Sequence, residues 1–289
     1  MKPSKWIYLF LVPGSILYLI FFIVPTISAL FYSVTDWSGL TATYNFVGLQ
    51  NFKDLLFNDF VFQKAAGNNM KFLLAVVIFQ TLFSLIFALI LVKNTKPNIF
   101  FRTLYFFPTI LASVSVAFIW TFIYDSNLGM LNNFLELVGL ENLIQSWLGN
   151  RKIAIYSIAL VQVWAHTGQV MIMFIAGLQA IPTEIYEAAK IDGANRWQTF
   201  KKITWPLLAP STTMVVGYTM IQSFKAFDLI FAMTGGGPVY STEIFATFIY
   251  RSAFTNYTFG YASAASVIFM MVIATLTYLQ NKAISKMAN

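Results

Sequence analysis

The chain has no cysteine and a single histidine, His166, among its 289 residues. Disulfide frameworks and thiolate metal sites are therefore excluded, and one histidine supports neither a conventional catalytic triad nor a histidine-rich metal centre. Charge is also scarce: Asp, Glu, Lys and Arg make up 10% of the residues against 58% hydrophobic, with a mean hydropathy of +0.70. So few charges cannot cover a soluble globule of this length, and the chain belongs in a bilayer. No Gly-x-x-x-x-Gly-Lys-Ser/Thr phosphate loop occurs, and Gly235-Gly236-Gly237-Pro238 has no lysine after it, so ATP has no site of that kind here. The net charge of +7 does not point to nucleic acid, because the basic residues lie between apolar runs and form no face interleaved with aromatics.

What the chain does have is long apolar runs. Six of them, near 7–33, 71–92, 104–124, 153–179, 207–233 and 259–280, reach the roughly 20 residues a membrane-crossing helix needs. They predict an all-α integral membrane protein with six transmembrane helices, in one transmembrane domain over 1–289. The first run follows Lys2 and Lys5 as a secretory signal would, but it is long and lacks a small-residue cleavage site, so it reads as a span. With the amino terminus inside, the inner segments hold Lys2, Lys5, Lys93, Lys96, Arg102, Lys190, Arg196, Lys201, Lys202, Lys282 and Lys286, eleven of the eighteen basic residues. The positive-inside rule then puts both termini and the segment 182–206 in the cytoplasm. The outer segments, about 34–70, 125–152 and 234–258, carry turn formers and seven acids, Glu243 among them.

Segment 182–206 is the most informative part of the chain. It runs EIYEAAKIDGANRWQTFKKITWP from Glu184, with Pro182 before it, Gly193 breaking it and Pro206 closing it. Those breakers predict two short helices joined by a glycine turn. The spacing of Glu187-Ala188-Ala189, Gly193, Ile203 and Pro206 closely resembles the cytoplasmic coupling loop of bacterial binding-protein-dependent ABC importer permeases. Trp205 stands where that family usually has Leu. The small Ala188 and Ala189 permit close approach to a partner, Gly193 tolerates the turn, and Glu187 can form a charge-assisted hydrogen bond in an interface.

Further blocks along nearly the whole chain are similar to the carbohydrate-uptake branch of these permeases, the relatives of the maltose-transporter membrane subunits. They are Asn69, Arg102-Thr103, Pro108, Gly129 with Asn132, Trp164 with Gly168, Ile191-Asp192-Gly193-Ala194 with Trp197, Phe227-Asp228, Thr234 to Pro238, and Gly260-Tyr261-Ala262. The resemblance implies one permease of a heterodimer in the bacterial inner membrane, working with a second homologous permease, two ATP-binding subunits and an extracellular solute-binding protein. It implies sugar or oligosaccharide import by alternating access, no enzymatic activity and no cofactor on this chain, with ATP and Mg on the partner ATPases. Glu187, Ala188, Ala189, Asp192, Gly193, Ile203 and Pro206 would couple the chain to those ATPases. A carrier driven by an ion gradient and centred on Asp228 is the alternative, and it leaves the loop unexplained.

Polar residues inside the runs mark a candidate substrate path. Gln162, His166 and Gln169 recur at i, i+4 and i+7, on one helical face that should avoid lipid. Thr219, Gln222 and Ser223 in the fifth run, and Ser113 and Ser115 in the third, lie at comparable depth. Such groups either bind sugar hydroxyls or hydrogen-bond neighbouring helices. Lys225 and Asp228, spaced i, i+3, are read as a pair on one helix face, and with Gly235, Gly236, Gly237 and Pro238 they form either an outer gate or a packing element.

Overall fold

The computed structural model describes residues 5–288. Lys2 and both chain termini lie outside the described residues, as do the side chains of Lys5 and Lys286. In chain order the helices are α1 (Lys5–Tyr18) and α2 (Val24–Tyr32), continuous through a π-turn; α3 (Gln50–Lys53); α4 (Phe60–Leu91); α5 (Lys96–Phe106); α6 (Ser113–Ile123); α7 (Met130–Leu137); and α8 (Ala154–Gln179). There follow α9 (Thr183–Ile191), α10 (Arg196–Thr199), α11 (Trp205–Leu207), α12 (Ala209–Phe224), α13 (Phe227–Thr234), α14 (Phe245–Tyr250) and α15 (Phe259–Ala288). Among the described residues, β-structure is confined to an isolated antiparallel bridge between Thr35 and Phe46.

Among the described residues, four stretches are long and apolar enough to cross a membrane: Phe10–Tyr32, Phe60–Leu91, Ala154–Gln179 and Phe259–Gln280. The third apolar run is not the single straight helix its composition suggests. Lys96–Ile110 and Ser113–Ile123 meet at 99°, because Leu111 and Ala112 are extended, with ψ of 142° and 137°, after a 3-10 turn containing Pro108, which has no N–H to continue the ladder. The fifth run is also divided. Lys225 and Ala226 leave helical geometry between the 16 residues of α12 and the 8 of α13, so neither piece alone has spanning length.

The chain forms two compact units. The larger, residues 64–247 and 276–289, is built on α8, whose Ile158, Val161, Val170, Met171 and Phe174 are buried. One half of α8 packs with Phe72 and Val76 of α4, Val116 of α6 and Ile230 of α13; the other half packs with Leu85 and Ala88 of α4 and Val215 of α12. Gly168 makes the closest approach possible: a Cβ there would lie 2.0 Å from the Tyr105 carbonyl oxygen at the end of α5. Hydroxyls supplement this packing, since Ser84 donates to the Thr167 carbonyl at 2.9 Å and Thr109 to the Ala165 carbonyl at 2.7 Å. Arg102 caps the carboxyl end of α4, its Nε 2.8 Å from the Leu91 carbonyl oxygen and its Nη2 2.7 Å from that of Val92. A cation at that end also complements the helix dipole.

The smaller unit, residues 1–63 and 248–275, joins the end of α2 and its loop to the start of α15. Gly260 N–H donates to the Trp37 carbonyl at 2.8 Å, Tyr261 Oη donates to Asp59 Oδ2 at 2.9 Å, and the Trp37 and Phe259 rings lie 5.6 Å apart. The most apolar window of Phe10–Tyr32 buries none of its residues. An apolar helix left uncovered in this way is a surface for lipid or for another membrane chain.

Candidate functional site

The loop 182–206 folds from local signals. Helix α9 starts directly after Pro182, with Glu184 in its first turn and Lys190 in its last, both matched to the helix dipole. The chain then turns at Gly193, whose φ is +74°, a conformation with little cost only for glycine and a few short polar residues. A reciprocal capping box opens α10: Gln198 N–H donates to Asn195 Oδ1 and Asn195 N–H to Gln198 Oε1, both at 2.9 Å. The hydroxyls of Tyr186 and Thr204, 3.3 Å apart, tie the two halves together. The second half departs from a simple helix ended by proline. After α10 the backbone passes through a π-turn at Phe200–Thr204, and Pro206 lies in the first turn of α11, where its missing N–H is tolerated.

Glu187, Ala188, Asp192, Gly193 and Pro206 are exposed, Ile203 is half-buried, and Ala189 packs inward. Beside them Ile191 and Trp197 are 87% and 68% exposed. Apolar side chains so uncovered on a charged segment are unusual for a surface facing water alone.

The polar residues of the apolar runs separate into two groups. Gln162, His166 and Ser113 line one cleft, walled by Pro108, Leu111, Val116 and Leu229, at the bend between α5 and α6. His166 Nδ1 lies 3.1 Å from the Gln162 carbonyl oxygen, so that nitrogen carries the proton in this contact. Gln169, half-buried on the same helix, does not line the cleft, and Ser115 is exposed. Thr219, Gln222 and Ser223 belong elsewhere. Ser223 donates to the Thr219 carbonyl within α12, and Gln222 Oε1 accepts from Gln80 Nε2 at 3.0 Å. Gln80 was not singled out from the sequence. It and Ser84 stand at i, i+4 in an otherwise apolar stretch and are both fully buried, so the periodicity used for Gln162 and His166 would have found it.

Lys225 and Asp228 do not sit on one helix face. The break at Lys225–Ala226 puts Lys225 at the end of α12 and Asp228 in the first turn of α13, and both are exposed. The i, i+3 relation requires a continuous helix, which is absent at this point. After α13, Gly235 and Gly236 take φ of 56° and 91°, and the Gly237–Pro238 peptide is cis. Thr234 and Thr242 hydroxyls lie 2.7 Å apart, and Thr242 donates to the Gly237 carbonyl at 2.7 Å. The amino-terminal half of α4 then holds the segment: Lys64 Nζ donates to the Val239 carbonyl, Asn68 Nδ2 to those of Tyr240 and Glu243, and Phe245 N–H donates to Asn69 Oδ1. Glu243, grouped by sequence with the acids of the outer segments, is fully buried in this clasp.

Residues 76–287 match the family described as binding-protein-dependent transport system inner membrane component, and the chain belongs to that family. It is thus a non-catalytic, multi-pass permease subunit, and the ion-gradient carrier is set aside. Among its relatives, the multiple sugar-binding transport system permease protein MsmF of Streptococcus mutans is 37% identical over 277 residues, covering 96% of this chain and 94% of that one. The probable ABC transporter permease protein YurN of Bacillus subtilis is 36% identical over 279 residues, covering 95% and 94%. A chain in the crystal structure of a bacterial ABC transporter involved in the import of the acidic polysaccharide alginate superposes with a TM-score of 0.84 at 21% identity, over 98% of this chain and 96% of that one. That likeness concerns the fold.

Proposed function

We propose that this subunit passes a sugar or oligosaccharide inward by alternating access, paired with a second homologous permease, two ATP-binding subunits that hold ATP and Mg, and an external solute-binding protein. The observation that carries the reading is the loop 182–206: a turn at Gly193 and a capping box hold Glu187, Ala188 and Ile191 exposed on a short, internally braced element between α8 and α12. Such an element transmits a push to both helices at once. In this reading the chain is one permease domain crossing the inner membrane six times, the bent α5–α6 pair and the broken α12–α13 pair each serving as one crossing, with the loop and both termini cytoplasmic.

The cleft at Gln162, His166 and Ser113 has a volume of about 10 Å³, room for one water and not for a sugar, and it is the proposed start of the solute path once the helices around it part. Its lining offers hydrogen-bonding groups and no lysine or arginine, which suits a neutral hydroxylated solute better than an anionic one. The name of the Streptococcus mutans relative favours sugars in the same sense. Thr219, Gln222 and Ser223 take part through α12 once that helix moves, and the clasped segment Gly235 to Pro238, with Lys225 and Asp228 before it, forms the outer gate.

The test is reconstitution of the chain in liposomes with its partner permease, ATPases and binding protein. Sugar should stimulate ATP hydrolysis, and Glu187→Ala and Gly193→Pro should each abolish the stimulation while assembly, measured separately, persists. Uptake that is independent of ATP, follows an ion gradient and ignores both substitutions would overturn the reading.

A further inference from the structure

A groove of about 640 Å³ opens where the last turns of α4 meet the loop carrying α9 and α10. Leu89, two residues from the end of the apolar α4, supplies a hydrocarbon wall, and the opposite side presents Tyr186, Lys190, Arg196, Thr199 and Thr204. The lining holds two cations and no carboxylate. Lys190 and Arg196 are both exposed, and neither forms an ion pair among the described residues.

The groove is separate from the surface assigned to the ATPases. Tyr186 and Lys190 are one turn apart and share a face of α9, whereas Glu187 and Ile191 lie about 100° further round the helix. One face can therefore be covered while the other remains open. Where an apolar span ends, a bilayer changes from acyl chains to phosphates, and a pair of unneutralised cations at that depth attracts anionic lipid.

We propose that this groove seats an anionic phospholipid, its phosphate held by Lys190 and Arg196 with the hydroxyls of Tyr186 and Thr199, and its acyl chains lying along α4 at Leu89. The proposal rests on the reading that the loop lies at a membrane face. It gives the loop a second anchor, one that depends on lipid composition.

The test is native mass spectrometry of the full-length chain released from mixed micelles containing equal phosphatidylglycerol and phosphatidylcholine. Wild type should retain phosphatidylglycerol over phosphatidylcholine by roughly thirtyfold, as two juxtamembrane cations predict. Lys190→Gln with Arg196→Gln should bring the two lipids near parity, and Lys190→Arg should keep the preference. Lys201→Gln with Lys202→Gln removes the same charge from exposed residues outside the groove lining and should leave most of it. Parity in wild type, equal loss in both double variants, or displacement of the lipid by inorganic phosphate would each overturn the proposal. So would a groove variant that keeps the lipid preference and loses only its ATPase partner, which would assign the groove to a protein. Lipid retention is read on the chain alone, so its failure is distinct from a failure of sugar-stimulated hydrolysis in the assembled transporter.

Discussion

The side-chain amide of Gln80 on α4 donates to Oε1 of Gln222 on α12 at 3.0 Å, across 142 positions of sequence. Gln80 is fully buried, and its own Oε1 and the hydroxyl of Thr219 have no partner among the described residues. A polar bond inside an apolar bundle joins two helices at a defined register, and α12 is the helix that continues from the 182–206 loop. Gln80 thus ties α4 to the helix that follows the loop.

Replacing either partner of this pair should be mild and non-additive. Gln80→Leu and Gln222→Leu should each lower stability by about 1 kcal/mol, and the double substitution by less than the sum, with a coupling of about 0.6 kcal/mol. Unfolding of the four variants in a detergent titration gives the cycle; strict additivity would mean the bond carries no energy.

Two glycines should respond with opposite sign. Gly168→Ala sets a methyl against the Tyr105 backbone, which cannot step aside as a flexible side chain would, and should destabilise by about 2 kcal/mol or more. Gly67, exposed within α4, has nothing within 4 Å of its added Cβ, so Gly67→Ala should stabilise by roughly 0.5–1 kcal/mol. Thermal midpoints of the two purified variants decide both.

Asp125 should impose an acid limit on the loop after α6. Its Oδ1 accepts the Asn127 and Leu128 N–H groups at 2.9 and 2.8 Å, and these bonds hold its pKa below the ordinary 3.8. Because the folded value is depressed, the stabilisation is complete above the ordinary value and is lost as the pH falls through the folded one. Asp125→Ala at neutral pH should therefore raise hydrogen exchange at Asn127 and Leu128, and the wild type should show the same loosening only below about pH 3.8. Unchanged exchange in the variant would show that the carboxylate does not order the loop.

At Gly193 the surroundings are open, with no atom within 4 Å of a Cβ, while φ is +74°. Substitutions there should thus be ranked by backbone preference and not by size. Gly193→Asn should keep most sugar-stimulated hydrolysis, and Gly193→Val, which disfavours that φ by about 1–2 kcal/mol, should reduce it severalfold. Equal loss in both would point to close contact with a partner in place of a turn.

Much of the helix plan could be read directly from the residues. The run 153–179 became Ala154–Gln179 and the run from 259 became Phe259–Ala288, since their apolar length leaves few alternatives in a bilayer. Helix α4 begins at Phe60, eleven positions ahead of its apolar run, because Lys64, Asn68 and Asn69 are helical residues that reach out to the 239–245 segment. Hydropathy does not register polar groups satisfied in this way.

By itself, the sequence determined that the chain is a helical membrane protein and that a punctuated loop stands between its fourth and fifth apolar runs, because composition, length and the placement of Pro182 and Gly193 act locally. Only the tertiary structure decided the 99° bend after Pro108, the division of α12 from α13, the burial of Glu243, and the sorting of Gln162 and His166 from Thr219 and Gln222. The burial of Glu243 and the sorting of the polar residues depend on which distant backbone or side chain comes within a few ångströms, as Asn68 does at Glu243 and Gln80 at Gln222. Periodicity places residues on a face; packing against another helix determines what that face meets.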